Sequence, residues 1–270
     1  MQHESILTNP RAARVRRVAS LARKKERVAQ GRFVVEGPQA VRELLAHRPA
    51  LAEVVYASMG TEQWQHEVDR LASDAGVRVE RATDEVIAEM SETVNPQGVV
   101  AVARTWKADL ARVLEGARLV AILHEIRDPG NAGTVLRAAD AAGADAVIFA
   151  GESIDPFHPK VVRSTTGSLF HLSVAVTSSL GEAIDAVRAA GLTTLAADVR
   201  GTDVLVARSE GVLAGPVAWV FGNEARGLSE TDRALTDRSL RLPIYGEAES
   251  LNLATAASVL LYETAFSQRV

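Results

Sequence analysis

The stretch from Leu240 to Tyr262 places polar side chains where a binding site would need them. Ser239 to Leu242 reads as a strand, and Pro243, which has no N–H to donate, stops it. Gly246, Glu247, Ala248 and Glu249 form a loop. Ser250 then opens an apolar run at helical spacing: Leu251, Ala254, Ser258 and Leu261, with Leu253, Ala257 and Leu260 alongside. Serine before an apolar helix is an N-cap signal, so the order expected is strand, turn, helix N-terminus, with Ser250 and Asn252 at the mouth. The unpaired N–H groups and positive dipole end of such a helix suit a carboxylate, a phosphate or the acceptors of adenine. An ordinary capped helix has the same pattern and is the reading this stretch favours when taken alone.

Two further stretches bear on that choice. In Asp128-Pro129-Gly130-Asn131-Ala132-Gly133-Thr134-Val135-Leu136-Arg137, Asn131 is placed to cap a helix and Gly133 to admit a close backbone. Arg137 follows Gly133 by four residues and shares its helical face. In Phe221-Gly222-Asn223-Glu224-Ala225-Arg226-Gly227-Leu228, two glycines bracket an acid directly after an apolar strand. Neither stretch has the spacing G-x-G-x-x-G, which disfavours a nicotinamide-dependent dehydrogenase.

The elements that must hold these loops alternate along the chain. From Leu119 to Leu123 onward, apolar strands are expected at Ala146 to Ala150, Leu172 to Val176, Thr193 to Ala197, Ala218 to Phe221 and Ser239 to Leu242. Helices are expected at Ala132 to Ala142, Pro159 to Ser168, Leu180 to Ala190, Ser229 to Leu235 and Leu251 to Ser267. Solidly apolar strands such as AVIFA indicate a parallel sheet covered on both faces, with ligands beyond the carboxyl ends of its strands. Residues 31–106 read as a smaller α/β domain, residues 107–117 as a polar linker with some helical pattern, and residues 118–270 as the larger domain.

The 270 residues contain no cysteine, which excludes disulfides, thiolate metal sites and thiol catalysis. The six histidines show no H-x-x-x-H pair, so no metal site is expected. No apolar run has transmembrane length and no secretory signal is visible, so a cytoplasmic protein without membrane association is expected. Net charge is −4, but it is unevenly distributed. Between Arg11 and Arg32 stand nine basic residues and one acid, Glu26, giving +8; the rest of the chain therefore carries −12. Residues 1–30 read as a basic extension, helical from 11 to 30, with a thin apolar stripe of Val15, Val18, Leu21 and Val28. Arg11, Arg14, Arg16, Arg17, Arg23, Lys24, Lys25 and Arg27 are its candidate contacts to a nucleic-acid backbone.

Taken together, N-x-G-x-x-x-R (Asn131, Gly133, Arg137), F-G-N-E-x-x-G-L (Phe221 to Leu228) and L-P-I-x-G-x-x-x-S-L-N (Leu242 to Asn252) resemble the three motifs of SpoU methyltransferases. These are the TrmH-type RNA ribose 2′-O-methyltransferases of the SPOUT class. The match in order and spacing spans about Val120 to Phe266. The N-terminal domain, ending in N-P-Q-G-V-V-A-V-A, is similar to the family's substrate-binding domain. The resemblance implies a SPOUT-type parallel sheet with a trefoil knot and a homodimer formed through the catalytic domains. It also implies S-adenosylmethionine as cofactor, held by Gly222, Leu242 and Leu251, with Leu195, Ala197, Ile244, Ser250 and Asn252 at the same mouth. By the same resemblance Arg137 is the key catalytic residue, with Asn131 fixing it or the ribose, and Glu224 a proton acceptor or an anchor for the arginine. A guanidinium is a poor base, so orientation of the 2′-hydroxyl and a phosphate is the role expected of Arg137. A non-catalytic RNA-binding protein that retains the fold is the competing reading.

Overall fold

The computed structural model of the chain describes residues 6–269, so residues 1–5 of the expected extension lie outside it. The chain forms two compact units. The first runs to Trp106 and takes back Phe157–His171; the second comprises Lys107–Pro156 and the chain from Leu172 onward. Among the described residues no helix is long and apolar enough to cross a membrane.

The first unit is built from α1 (Ala13–Ser20), α2 (Lys24–Gln30), β1 (Arg32–Glu36), α3 (Pro38–His47), β2 (Ala52–Ser58), α4 (Gln63–Asp74), β3 (Arg78–Ala82), α5 (Asp84–Met90) and β4 (Val99–Arg104). Its sheet has the order β1-β4-β2-β3, antiparallel except for the β2–β3 pair. Val15, Val18 and Leu21 are buried in a core with Val34, Tyr56, Val86 and Val102. The basic segment is therefore part of this unit, as two helices and not one. Val28, expected in the apolar stripe, is 73% exposed. The turn between the helices is held by Arg27, buried at 2% exposure, which donates to the carbonyls of Leu21 and Ala22. A guanidinium used in this way cannot reach a phosphate, which removes Arg27 from the expected RNA contacts.

The second unit begins with α6 (Leu110–Val113), β5 (Leu119–His124), α7 (Pro129–Ala142) and β6 (Ala146–Ala150). The expected linker is not free: Leu114 and Ala117 are buried in the core of this unit, with Leu110 and Val113 packed on it. The chain then returns to the first unit as α8 (Pro159–Ser164) and a 3-10 turn, Ser168–Phe170. There Phe157 packs on Phe33 and Trp106, at ring-centroid distances of 4.8 and 4.7 Å. The helix expected at Pro159 to Ser168 is thus shorter and serves the other unit. β7 (Ser173–Thr177), α9 (Leu180–Ala189), β8 (Thr193–Asp203), α10 (Val204–Ser209), β9 (Val217–Phe221), α11 (Glu230–Ala234), β10 (Arg238–Arg241) and α12 (Leu253–Gln268) complete the second unit.

Its six strands are ordered β10-β8-β9-β5-β6-β7 and every neighbouring pair is parallel. β6 and β9 are buried at every residue, as strands covered on both faces must be. From β5 the sheet grows through β6 to β7 in one direction, and from β9 through β8 to β10 in the other. The switch falls between β5 and β9, where an open parallel sheet leaves a crevice at its carboxyl ends. β8 is longer than expected, and its middle leaves the ladder. Ser239 pairs with Ala196 but Leu240 with Thr202, so residues 197–201 loop out of the pairing within β8. α12 is fixed over the sheet by the buried indole of Trp219, which donates to Thr264 at 2.9 Å.

Candidate active site

The loops after β5 and β9, neighbours at the switch point, carry the first two motif stretches. The third lies between β10 and α12. Glu224 joins the first two. Its carboxylate accepts from the backbone N–H groups of Arg127 (3.2 Å) and Asp128 (3.0 Å) and from the Asn131 side chain (3.4 Å). A carboxylate at the start of α7 also complements the positive end of the helix dipole. Asn131 uses its other side-chain atom on the third stretch: its Oδ1 accepts from Asn252 Nδ2 at 3.1 Å. Asn252 in turn caps α12, its Oδ1 accepting from the N–H groups of Ala254 (2.9 Å) and Thr255 (3.3 Å). Glu224, Asn131 and Asn252 thus form a chain across all three stretches.

This arrangement corrects three expectations. Asn252, not Ser250, caps α12; Ser250 lies exposed two residues before it. Asp128, not Asn131, caps α7, accepting from the Asn131 N–H at 2.8 Å. Pro129 at the first helical position pointed to that assignment, because proline is favoured there and the preceding residue is then the cap. Glu224 anchors the first motif loop and not Arg137. Arg137 stands exposed on α7 and takes part in no ion pair or hydrogen bond among the described residues. The structure therefore brings Asn131, Glu224 and Asn252 together and leaves Arg137 open to solvent.

The residues expected at the cofactor are spread around the ends of β8, β9 and β10. Leu195 is buried within β8, and Ala197 is the first residue of its looped-out segment. Gly222 is buried at the end of β9. A β-carbon there would lie 2.6 Å from the Gly227 carbonyl carbon, so the loop's own closure requires glycine. Leu242 is half-buried; residues 242–252 have no regular secondary structure, and Ile244, Ser250 and Leu251 are exposed. Asp198, at the far edge of the strand end expected to add cofactor contacts, lies in the looped-out segment. Burial raises its carboxyl pKa, but hydrogen bonds from the Arg200 side chain and backbone, with the charges of Arg200 and Arg233, more than offset this and hold it below the ordinary value. Arg233 also donates to the Leu228 carbonyl, which ties this segment to the second motif loop.

A cavity of about 680 Å³ opens on the other side of that loop, lined among others by His124, Glu125, Ser179, Arg226 and Asp232. None of the expected cofactor residues lines it. Asn223 donates to the Glu125 carbonyl and Arg226 pairs with the Glu125 carboxylate at 2.8 Å, so the second motif loop forms one wall. His124 and Glu125 escaped the sequence reading, although their position at the carboxyl end of an apolar strand was a usable signal.

A wholly parallel sheet with converging polar loops at its switch point defines a doubly wound α/β protein with a ligand site at the strand ends. Comparison with known proteins narrows this class. Residues 118–262 match the model of the SpoU rRNA methylase family, and residues 12–101 that of an MRM3-like substrate-binding domain. The chain belongs to the SpoU rRNA methylase family. It is 32% identical over 243 residues to the 23S rRNA (guanosine(2553)-2′-O)-methyltransferase RlmP of Bacillus subtilis, covering 88% of this chain and 90% of that one. It is 34% identical over 263 residues to a 23S rRNA (uridine(2479)-2′-O)-methyltransferase of Streptomyces viridochromogenes, covering 93% and 88%. The crystal structure of the SpoU methyltransferase AviRb from that organism, in complex with AdoMet, superposes with a TM-score of 0.83 at 29% identity, covering 95% of this chain and 99% of that one.

Proposed function

We infer that this chain is an S-adenosylmethionine-dependent RNA methyltransferase acting on a ribose 2′-hydroxyl of ribosomal or transfer RNA. Ribosomal RNA is favoured by the names of its relatives. The observation that carries this reading is the link from Glu224 through Asn131 to Asn252, which holds three motif loops at one end of the sheet.

The residues present suit the cofactor. Residues 242–252 offer backbone edges free of helix and strand, and Ile244 and Leu251 leave apolar surface exposed there for an adenine face. Glu247 and Glu249 on the same loop favour a cation, and Leu242, Gly222 and Ala197 border the same strand ends. S-adenosylmethionine supplies a methyl group on a sulfonium, already a strong electrophile. The chain must place a hydroxyl oxygen in line with that methyl, and positioning is the larger share of the task. Arg137, exposed and without a partner among the described residues, is suited to grip a phosphate and orient the 2′-hydroxyl through its fork of donors. Asn131 and Glu224 act as positioning residues, since their polar atoms are engaged in the frame. Arg11, Arg14, Arg16, Arg17, Arg23, Lys24 and Lys25 are exposed and supply phosphate contacts in the first unit, although Arg14 also pairs with Glu80.

The reading extends to a homodimer and a knot. Val259, Tyr262 and Phe266 are 41, 38 and 56% exposed on α12 and, at spacings of three and four residues, form one apolar stripe. In favour of the knot, the chain passes from the β9 loop to β10 beyond β8 and then returns over the sheet as α12. Cytoplasmic placement belongs to the same proposal, because ribosomal RNA is found there.

Incubation with methyl-labelled S-adenosylmethionine and ribosomal RNA from cells lacking the gene tests the activity. One new 2′-O-methyl site is expected on mapping. Label appearing on a base, or none despite cofactor binding seen by calorimetry, would leave the non-catalytic RNA-binding reading in its place.

A further inference from the structure

Glu43 and His47 stand one turn apart on α3 and project from the same face. His171, the last residue of the inserted segment, meets them. Its Nε2 lies 3.1 Å from Glu43 Oε2, and His47 Nε2 lies 3.3 Å from the same oxygen. The three ligand atoms all fall within 4.8 Å of one another. We propose that Glu43, His47 and His171 form a binding site for a divalent transition-metal ion of the zinc type.

The two separations from the carboxylate oxygen are those of a coordination shell. Ligand bonds of about 2.0–2.1 Å in a tetrahedron set neighbouring ligand atoms about 3.3 Å apart, close to both measured separations. Two imidazoles and one carboxylate match zinc, whereas magnesium and calcium prefer sets made of oxygen. Three protein ligands leave the fourth position to water, and His47, half exposed, gives it access.

The ligands are also positioned in advance. Gln39 donates to the second carboxylate oxygen of Glu43 at 2.6 Å, fixing the carboxylate with Oε2 turned to the two imidazoles. The turn that carries His171 is pinned to α3 by Arg48, which donates to the Phe170 carbonyl at 3.1 Å. Gly167, at φ +109°, lies directly against Glu43, where a β-carbon would collide with Glu43 Cγ. The ion would clip the inserted segment to α3, and its binding would stabilise the first unit. A search for paired histidines misses the cluster, because the helix contributes E-x-x-x-H and the second histidine comes from a distant segment.

The site does not depend on the methyl-transfer reading, and its test does not use that activity. Full-length protein without a histidine tag, treated with a chelator, is titrated with Zn²⁺ by calorimetry. One equivalent is expected to bind, and Co²⁺ should give the intense visible absorption of a tetrahedral site. Gln39→Ala should weaken binding about tenfold to a hundredfold, as loss of a residue behind the ligands does, and His171→Ala by more than that. Melting of His171→Ala in chelator reports its fold; if it is unfolded, His47→Gln, a change at a half-exposed ring, decides the matter in its place. No zinc binding by the full-length protein, or unchanged affinity in the folded ligand variant, overturns the site.

Discussion

The basic face of α1 and α2 and the motif loops of the second unit use polar residues in opposite ways. On α1 and α2 most of the cations are exposed, and among the described residues Arg14 alone of the proposed RNA contacts forms an ion pair across the unit, with Glu80. In the motif loops, Glu224, Asn131 and Asn252 are bonded to one another and to backbone. The first arrangement acts through summed charge, which tolerates imprecise placement and weakens with salt. The second acts through geometry, which salt barely affects and a single deletion breaks. Arg137 belongs to neither: it sits beside the rigid frame yet keeps a free guanidinium.

Arg137 gives the largest expected effect. Arg137→Ala should lower methyl transfer about a hundredfold to a thousandfold, the scale on which removing one transition-state donor acts, and leave S-adenosylmethionine affinity unchanged. Near-normal turnover would move the reacting ribose away from α7. The charge side of the comparison is sharpened by two substitutions close in sequence. Arg16→Glu with Arg17→Glu should weaken RNA binding and flatten its log–log salt dependence by about 0.7 or more per lost phosphate contact. Arg27→Gln should leave that slope alone and lower unfolding stability by about 1–3 kcal/mol, because one buried and one part-buried carbonyl lose their donor. A changed slope in the Arg27 variant would show that burial is a poor guide to which arginines touch RNA. On the geometric side, Asn131→Ala and Asn252→Ala should be coupled, with a double-mutant cycle in chemical denaturation giving about 0.5–1 kcal/mol between them. Strict additivity would mean that the two amides do not interact. The smallest effect is expected from pH. Asp198 is held below its ordinary pKa, so its contribution to stability is present above the unfolded value and lost as pH falls through the lower folded value. Asp198→Asn should therefore flatten the acid limb of a stability-against-pH curve, and an unaltered limb would assign that limb to other carboxylates.

Much of the second unit could be read in advance because its strands are buried on both faces. An unbroken run such as AVIFA leaves little choice, and β6 occupies the residues expected, Ala146–Ala150. Boundaries were less legible wherever two polar residues competed for one role. Ser250 and Asn252 both lie at the mouth of α12, and only the loop's path decides which side chain turns back on the helix. β8 was read as ending at Ala197 because Asp198 and Arg200 look like loop residues, and the pairing of Thr202 with Leu240 is not a local signal. Charge on α2 announced nucleic acid, but composition does not distinguish Arg27, folded inward, from Lys24 and Lys25, pointing out. The cluster at Glu43 was invisible for a related reason: one of its three members arrives from Phe157–His171, which nothing in the sequence assigns to the first unit.

That inserted segment has a consequence for how the chain is made. The aromatic cluster around Phe33 and Trp106 needs Phe157 and Phe170, and these emerge from the ribosome only after β5, α7 and β6 have been synthesised. A nascent chain that stops at Trp106 has all four strands of the first sheet but not the rings that cover one end of its core. The first unit, although it begins the chain, is completed only after two of the second unit's six strands have been made. Separate expression of residues 1–106 would yield a sheet with an apolar face open to aggregation.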